Sequence, residues 1–295
     1  MQNHFSIYLS RHPGDKRKGC FGRGIIFLLG RCTGLGKLII KGHQISIIRS
    51  RDEGHSWDRR NWTVPGYAFT VGFPRGTVLE NGTWLFPIYA MRAEGVADCL
   101  IFRSSDDGET WNLHEAVPRL GSEWALVEPA PNRVLGHIRS TCYWAPGVVK
   151  RTYDKDRFYT LEVWSEDGGK TWTYPVETSF EGYPNHLLKL SDGRILCTYG
   201  YRRAPMGIRA LISEDGGRSW DTDHEYVLRD DGSGLSNAWP PEKRARMGGA
   251  DVGYPISTEL ADGTILTVYY ITKEDGITHI ATTHWHPDQD RPPSL

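Results

Sequence analysis

Short apolar runs, many alternating with polar positions and bounded by Gly, Asp, Asn or Pro, recur along the chain from Ile25–Leu29 to Trp285. Runs of that length with that punctuation predict β-strands joined by tight turns. TVLENGTWLFPIY (77–89), LLKLSDGRILCTY (187–199) and STELADGTILTVY (257–269) each read as strand, Asn-Gly or Asp-Gly turn, strand. Between such hairpins the chain writes one pattern four times, S-x-D-x-G-x-[ST]-W. The copies are SRDEGHSW (50–57), SSDDGETW (104–111), SEDGGKTW (165–172) and SEDGGRSW (213–220), each after a β-like run. Their aspartates Asp52, Asp106, Asp167 and Asp215 lie 54, 61 and 48 residues apart. One strand–turn–strand unit per fifty or so residues indicates a repeat architecture of all-β blades. Within the pattern Ser and Asp accept bonds from turn N–H groups, Gly supplies positive φ, and Trp packs the turn on its own blade. The role read for it is structural.

Four units align on a proline near the start of their first strand: Gly72-Phe73-Pro74, Val127-Glu128-Pro129, Gly182-Tyr183-Pro184 and Gly253-Tyr254-Pro255. A compressed first unit from Gly22 to Trp62 brings the visible blades to five, with strands near Ile25–Leu29, Leu38–Ile40 and Ile45–Ser50. A sixth could be hidden in the N-terminal stretch or in 221–252. Residues 1–20 are polar and basic apart from Phe5–Leu9, which alternates like a strand. That stretch is expected either to close a ring as the outer strand of the last blade or to be a disordered tail. A single propeller domain is expected over 21–290.

Composition narrows this picture further. A chain of 295 residues with 39% hydrophobic content buries a sizeable core as one domain. The net charge of −1 gives no electrostatic case for nucleic acid or an anionic membrane, so an anionic ligand would need a local basic pocket. Five scattered cysteines with no Cys-x-x-Cys or Cys/His spacing predict thiols rather than a disulfide framework, with no metal site and no cofactor. GIIFLLG (24–30) is too short for a membrane span and too far from Met1 for a signal peptide, so a soluble, non-exported protein is expected.

The fourfold pattern resembles the Asp box, or BNR repeat, of the sialidase (neuraminidase) superfamily, and Gly182–Trp220 and Gly253–Trp285 are similar to its last two blades over their whole length. The resemblance implies an all-β, six-bladed propeller of four-stranded antiparallel sheets. Propeller topology puts the Asp boxes and Asp-Gly turns on one face and gathers a ligand site on the other. The residues expected there are Arg75, Glu128, Tyr183, His186 and Tyr254 from strand starts, and Arg92, Asp98, His137, Arg139, Arg202, Arg203 and Arg209 from the loops between second and third strands. Asp230, Trp239, Arg244, Arg246 and Asp251 come from the insertion. Arginines converging with tyrosines suit a carboxylate, which the guanidinium fork matches bidentately. For Arg92, Arg203 and Arg209 ion pairs between blades are the other reading, and for His137 and His186 hydrogen-bonded wall positions.

By resemblance Tyr254 is the nucleophile, Glu128 the carboxylate that takes its proton, and Arg139 and Arg202 two members of an arginine triad. A phenol is a weak nucleophile near neutral pH and needs that neighbouring base, and sialidases use a tyrosine where most glycosidases use a carboxylate. The family's Arg-Ile-Pro is missing; Gly72-Phe73-Pro74 occupies a comparable place, with Arg75 shifted. Asp98 and Asp251 are the candidate acids, and Arg75, Arg92, Tyr183, His186, Arg209 and Trp239 further substrate contacts. The activity implied is release of a terminal acidic sugar from a glycan, with no nucleic-acid or membrane partner. A propeller rhamnosidase, a uronate lyase and a non-catalytic carbohydrate-binding propeller are the alternatives.

Overall fold

The structure is a computed structural model that describes residues 5–9, 24–29, 44–49, 55–72, 75–94, 96–118, 123–139, 159–233 and 251–292. Over these residues the chain is built from antiparallel sheets of blade type. The first sheet orders β1 (Phe5–Leu9), β2 (Gly24–Leu29), β3 (Gln44–Arg49) and β4 (Asp58–Thr63) side by side. In the second, β5 (Phe69–Gly72) and β6 (Thr77–Val78) both pair with β7 (Trp84–Met91), followed by β8 (Ala97–Ser104) and β9 (Asn112–Val117). The third runs β10 (Trp124–Ala130), β11 (Arg133–Arg139), β12 (Tyr159–Ser165), β13 (Val176–Glu181). The fourth runs β14 (Asn185–Lys189), β15 (Ile195–Tyr201), β16 (Met206–Ser213), β17 (Tyr226–Gly232). The fifth has three strands among the described residues: β18 (Val252–Glu259), β19 (Ile265–Thr272) and β20 (Thr278–Trp285).

Phe5–Leu9 is a strand, as its alternation predicts, but it pairs antiparallel with β2, Phe5 opposite Leu28 and Leu9 opposite Gly24. It therefore belongs to the first sheet and not to the last, because the next strand in sequence offers it a ladder. The strand expected at Leu38–Ile40 lies outside the described residues.

Burial is greatest in the middle strands of the second and fourth sheets. β7, β8, β15 and β16 are buried along nearly their whole length, which is why they read as continuous apolar runs, whereas β4, β9 and β13 are mostly exposed. The chain packs as two compact units, the first taking in residues through Gly136 and again Val163–Pro175, the second taking in His137–Ser140 and Val176–Leu295. In the first unit Ile45, Val64, Phe86, Ile88 and Leu100 form one core on which Trp111 of an Asp box packs. In the second, Leu196, Ala210, Ile212 and Ile265 do the same around Tyr226 and Trp285.

The three described Asp boxes share one hydrogen-bond scheme. Ser104, Ser165 and Ser213 each accept from a glycine N–H four residues on, at 2.9, 2.8 and 2.7 Å. Each box aspartate takes the backbone N–H and the hydroxyl of the residue before Trp: Thr110 on Asp106, Thr171 on Asp167, Ser219 on Asp215. Those bonds set the charge state. Hydrogen bonds from Thr110 hold Asp106 at about 2. Burial alone pushes Asp167 and Asp215 up, but bonds from Thr171 and Ser219 outweigh it and leave both at about 2. Cys99 and Cys197 are buried thiols, as the cysteine spacing predicts for those two.

Candidate functional site

Five of the expected residues come together in the second unit around a distortion of β18. Against β19, Gly253 pairs with Tyr270 and Ile256 with Val268, so β18 carries one residue more than its partner across that stretch. This is a β-bulge, and it re-aims the side chain within it. Tyr254 sits in the bulge with φ of 53°, after Gly253 at 141°. Left-handed backbone is uncommon for a bulky residue and points to a constraint from the surroundings. Gly253 meets a further demand, since its Cα would lie 3.0 Å from a Cβ placed on Gly200. Only two glycines let β15 and β18 approach this closely.

The bulge turns the Tyr254 phenol toward Arg139, the last residue of β11, whose Nη1 donates to it at 3.4 Å. The same guanidinium lies 4.4 Å from the ring of Tyr183, and Arg202 approaches that ring at 5.7 Å. Tyr183 is 7% exposed and donates its N–H to the Gly200 carbonyl, so it is a fixed platform for two like charges. A ring face between guanidiniums attracts each of them by about 0.5–2 kcal/mol. Arg202 is anchored further by donating Nε to the Val252 carbonyl at 3.0 Å. Behind Tyr254 stands Tyr270, its ring centroid 5.8 Å away and tilted 24°, with its hydroxyl donating to Asp251 at 2.9 Å. Burial pushes the Tyr270 phenol well above its ordinary value; the Asp251 charge adds to this and Arg202 opposes it. Two arginines, a half-buried phenol and a stacked aromatic thus share one place, which suits a planar anion attached to a ring.

The other expected residues are engaged elsewhere. Glu128 is not at the start of its strand. It stands near the hairpin end of β10, where its carboxylate accepts the Glu80 N–H at 2.6 Å and the Asn132 N–H at 2.8 Å. Asn132 in turn accepts the N–H of Gly168 in an Asp box, so Glu128 belongs with the turns. Glu259 does the same job at the end of β18, binding the N–H and hydroxyl of Ser191 in the hairpin before it. Both glutamates fasten one hairpin to the next. Glu123, five residues upstream and just before β10, is buried at 8% exposure and escaped the sequence reading.

Asp98, fully buried, is paired with Arg92 at 2.6 Å, and Arg92 also meets Glu115 at 3.1 Å. Burial and a hydrogen bond to Asp98 push the Tyr67 phenol up, so the acid is part of a closed network. Arg75 is 3% exposed and accepts the Leu126 N–H at its carbonyl. Arg209 lies 3.6 Å over the Tyr201 ring and binds Glu225, which also accepts the Tyr199 hydroxyl. Arg203 pairs with Glu181. His186 accepts the Ser257 N–H and ties β14 to β18, while His137 packs on Trp220 beside Cys197 and Glu162. Both histidines are wall positions. Asp230 lies in β17, on the outer side of its sheet. Trp239, Arg244 and Arg246 lie outside the described residues.

Comparison with known proteins fits this architecture. The family described as BNR repeat-like domain matches residues 33–268. A sialidase of Bacteroides fragilis (strain YCH46) is 25% identical over 204 residues, which are 63% of this chain and 35% of that protein. The chain therefore spans about a third of that relative's length. Among solved structures, the Hadza microbial sialidase Hz136 aligns with a TM-score of 0.66 at 18% identity, over 98% of this chain and 54% of the other. A protein of unknown function from Dyadobacter fermentans DSM 18053 aligns at 0.64 with 23% identity, over 90% and 73%. The leech intramolecular trans-sialidase complexed with 2,7-anhydro-Neu5Ac gives 0.59 at 18%, over 84% and 37%. These likenesses show the fold, a β-propeller of sialidase type. Among the described residues no helix is long and apolar enough to cross a membrane.

Proposed function

Because this chain belongs to the BNR repeat-like domain family, we propose that it is a glycosidase releasing a terminal, carboxylate-bearing sugar of the sialic acid type, with Tyr254 as nucleophile. The observation that carries the reading is the single guanidinium of Arg139, in contact with both the Tyr254 phenol and the Tyr183 platform that Arg202 shares. In this reading Arg139 and Arg202 take the sugar's carboxylate. Tyr254 Oη attacks the anomeric carbon as the bond to the leaving oxygen breaks, and water then displaces the phenol, so configuration is retained. A tyrosine is suited to the task because an attacking carboxylate would be repelled by the substrate's own. The phenolic proton needs an acceptor. Glu128, the acceptor that the resemblance implies, has its carboxylate on two turn amides and is not given that role.

The test is turnover of 4-methylumbelliferyl α-sialoside by purified protein, with free sialic acid measured alongside the fluorophore. Tyr254→Phe is expected to lower kcat by at least about a thousandfold, the scale of a lost nucleophile. Absence of free sugar from sialosides, Kdo glycosides and uronate-capped glycans alike would end the proposal.

One observation favours a second reading, a carbohydrate-binding propeller without catalysis. Asp98 and Asp251, the acids expected to protonate the leaving group, are engaged by Arg92 and by Tyr270. Glycan binding without product on long incubation would decide for it.

A further inference from the structure

We infer that Tyr270 and Asp251 are positioning residues that hold the Tyr254 phenol at Arg139, and that neither takes part in the chemistry. This rests on the proposed nucleophilic role of Tyr254. The need for such a support follows from the backbone. Tyr254 lies in a bulge with left-handed φ, outside the regular ladder that would fix the direction of an ordinary strand side chain. Its bond to Arg139 is long, at 3.4 Å, and does not by itself settle the ring's orientation. Tyr270 on β19, opposite Gly253 in the register, adds a ring contact to that bond.

The Tyr270 ring lies nearly parallel to that of Tyr254, 24° from it at 5.8 Å. Tyr270 is itself fixed at its far end, where its hydroxyl donates to Asp251 at 2.9 Å, while the Asp251 carbonyl accepts the Thr272 N–H. Asp251, Tyr270 and Tyr254 thus form a chain of support in which each member orients the next. Burial keeps the Tyr270 phenol protonated, so it remains a donor to Asp251 at every working pH. This also explains why Asp251, a candidate acid by sequence, stands close to the nucleophile in the chain. It acts on the phenol through Tyr270. Misplacing a reacting atom by about 1 Å can cost on the order of a hundredfold in rate, so support of this kind is read in kcat.

The experiment is a double-mutant cycle on 4-methylumbelliferyl α-sialoside using Tyr270→Leu, Tyr270→Phe, Asp251→Asn and Tyr254→Phe, singly and combined. Tyr270→Leu is expected to lower kcat by on the order of tenfold to a hundredfold, with KM within about threefold. Tyr270→Phe, which keeps the ring but loses the bond to Asp251, recovers only part of that loss and leaves a deficit of the size that Asp251→Asn gives. Asp251→Asn shifts kcat in the same direction as Tyr270→Leu and carries the same cycle if the leucine variant does not fold. In the Tyr254→Phe background neither Tyr270→Leu nor Asp251→Asn has a further effect, because the group they orient is gone. Equal losses in both backgrounds would mark the pair as merely structural and overturn the inference. If the wild type turns over no sialoside, the proposed function falls on its own. The crystal structure of Tyr270→Leu then decides the positioning: a Tyr254 phenol displaced from Arg139 supports it, and one in an unchanged place refutes it.

Discussion

Glu123 and Glu128 illustrate how little a sequence position says about which end of a strand a side chain occupies. Five residues of extended chain span about 16 Å, so the two acids stand at opposite ends of one strand, and the one-dimensional pattern does not say which end faces a ligand. The proline after Glu128 aligned it with Tyr183 and Tyr254, yet β10 begins before Glu128 and β18 before Tyr254, so equal spacing to a proline does not mean an equal place along the strand. Glu128→Ala leaves two backbone N–H groups without their carboxylate and is expected to destabilise by about 2–3 kcal/mol. It leaves kcat of the folded fraction within about threefold. Denaturant unfolding and steady-state kinetics on the variant check both outcomes. That Arg139, Arg202, Tyr183 and Tyr254 lie together was legible from residue type and place in the blade; their part in chemistry belongs to the proposal. Tyr270 was not, since its partnership with Tyr254 arises from a bulge that no local signal announces.

At the scale of the element, the Asp box was the most readable part of the chain, and its geometry explains why. The bonds its serine and aspartate make are local, between residues two to four apart, so the residue types specify the turn. The hairpins are equally local. Leu79, Leu190 and Leu260 each exchange backbone bonds across an Asn-Gly or Asp-Gly turn, as the dipeptides predict. Strand order beyond a hairpin is a long-range property, and there neither expectation for Phe5–Leu9, outer strand of the last blade or disordered tail, matches its place beside β2. Asp167 accepts from the N–H groups of Lys170 and Thr171, the Thr171 hydroxyl and Ser165, so Asp167→Ala strips four donors at once. It is expected to cost about 2–4 kcal/mol and to lower Tm by several degrees, with the proposed site untouched. Differential scanning calorimetry would register it.

For the whole molecule the boxes add up to a dependence on acid. Three aspartates titrate at about 2 in the folded chain, below the 3.8 of an unconstrained carboxyl. The unfolded chain therefore binds protons first as pH drops. Stability is complete above about pH 4, declines as pH falls through the interval down to about 2, and is gone from this source below it. Urea midpoints measured from pH 6 to pH 2 are expected to fall mainly in that interval, with a shallower slope once Asp167 and Asp215 are both replaced by Asn. Glu128 and Glu259 bear on where the chain can carry foreign sequence. Each grips the backbone of the hairpin before it, at Glu80 and at Ser191. Lengthening either loop pulls an amide out of a carboxylate's reach. Among the described residues the hairpin at Leu260–Gly263 has no glutamate gripping it in this way. An epitope tag spliced after Asp262 is therefore expected to be carried without loss of fold, whereas the same tag after Asn81 or Asp192 should yield protein that proteases clear.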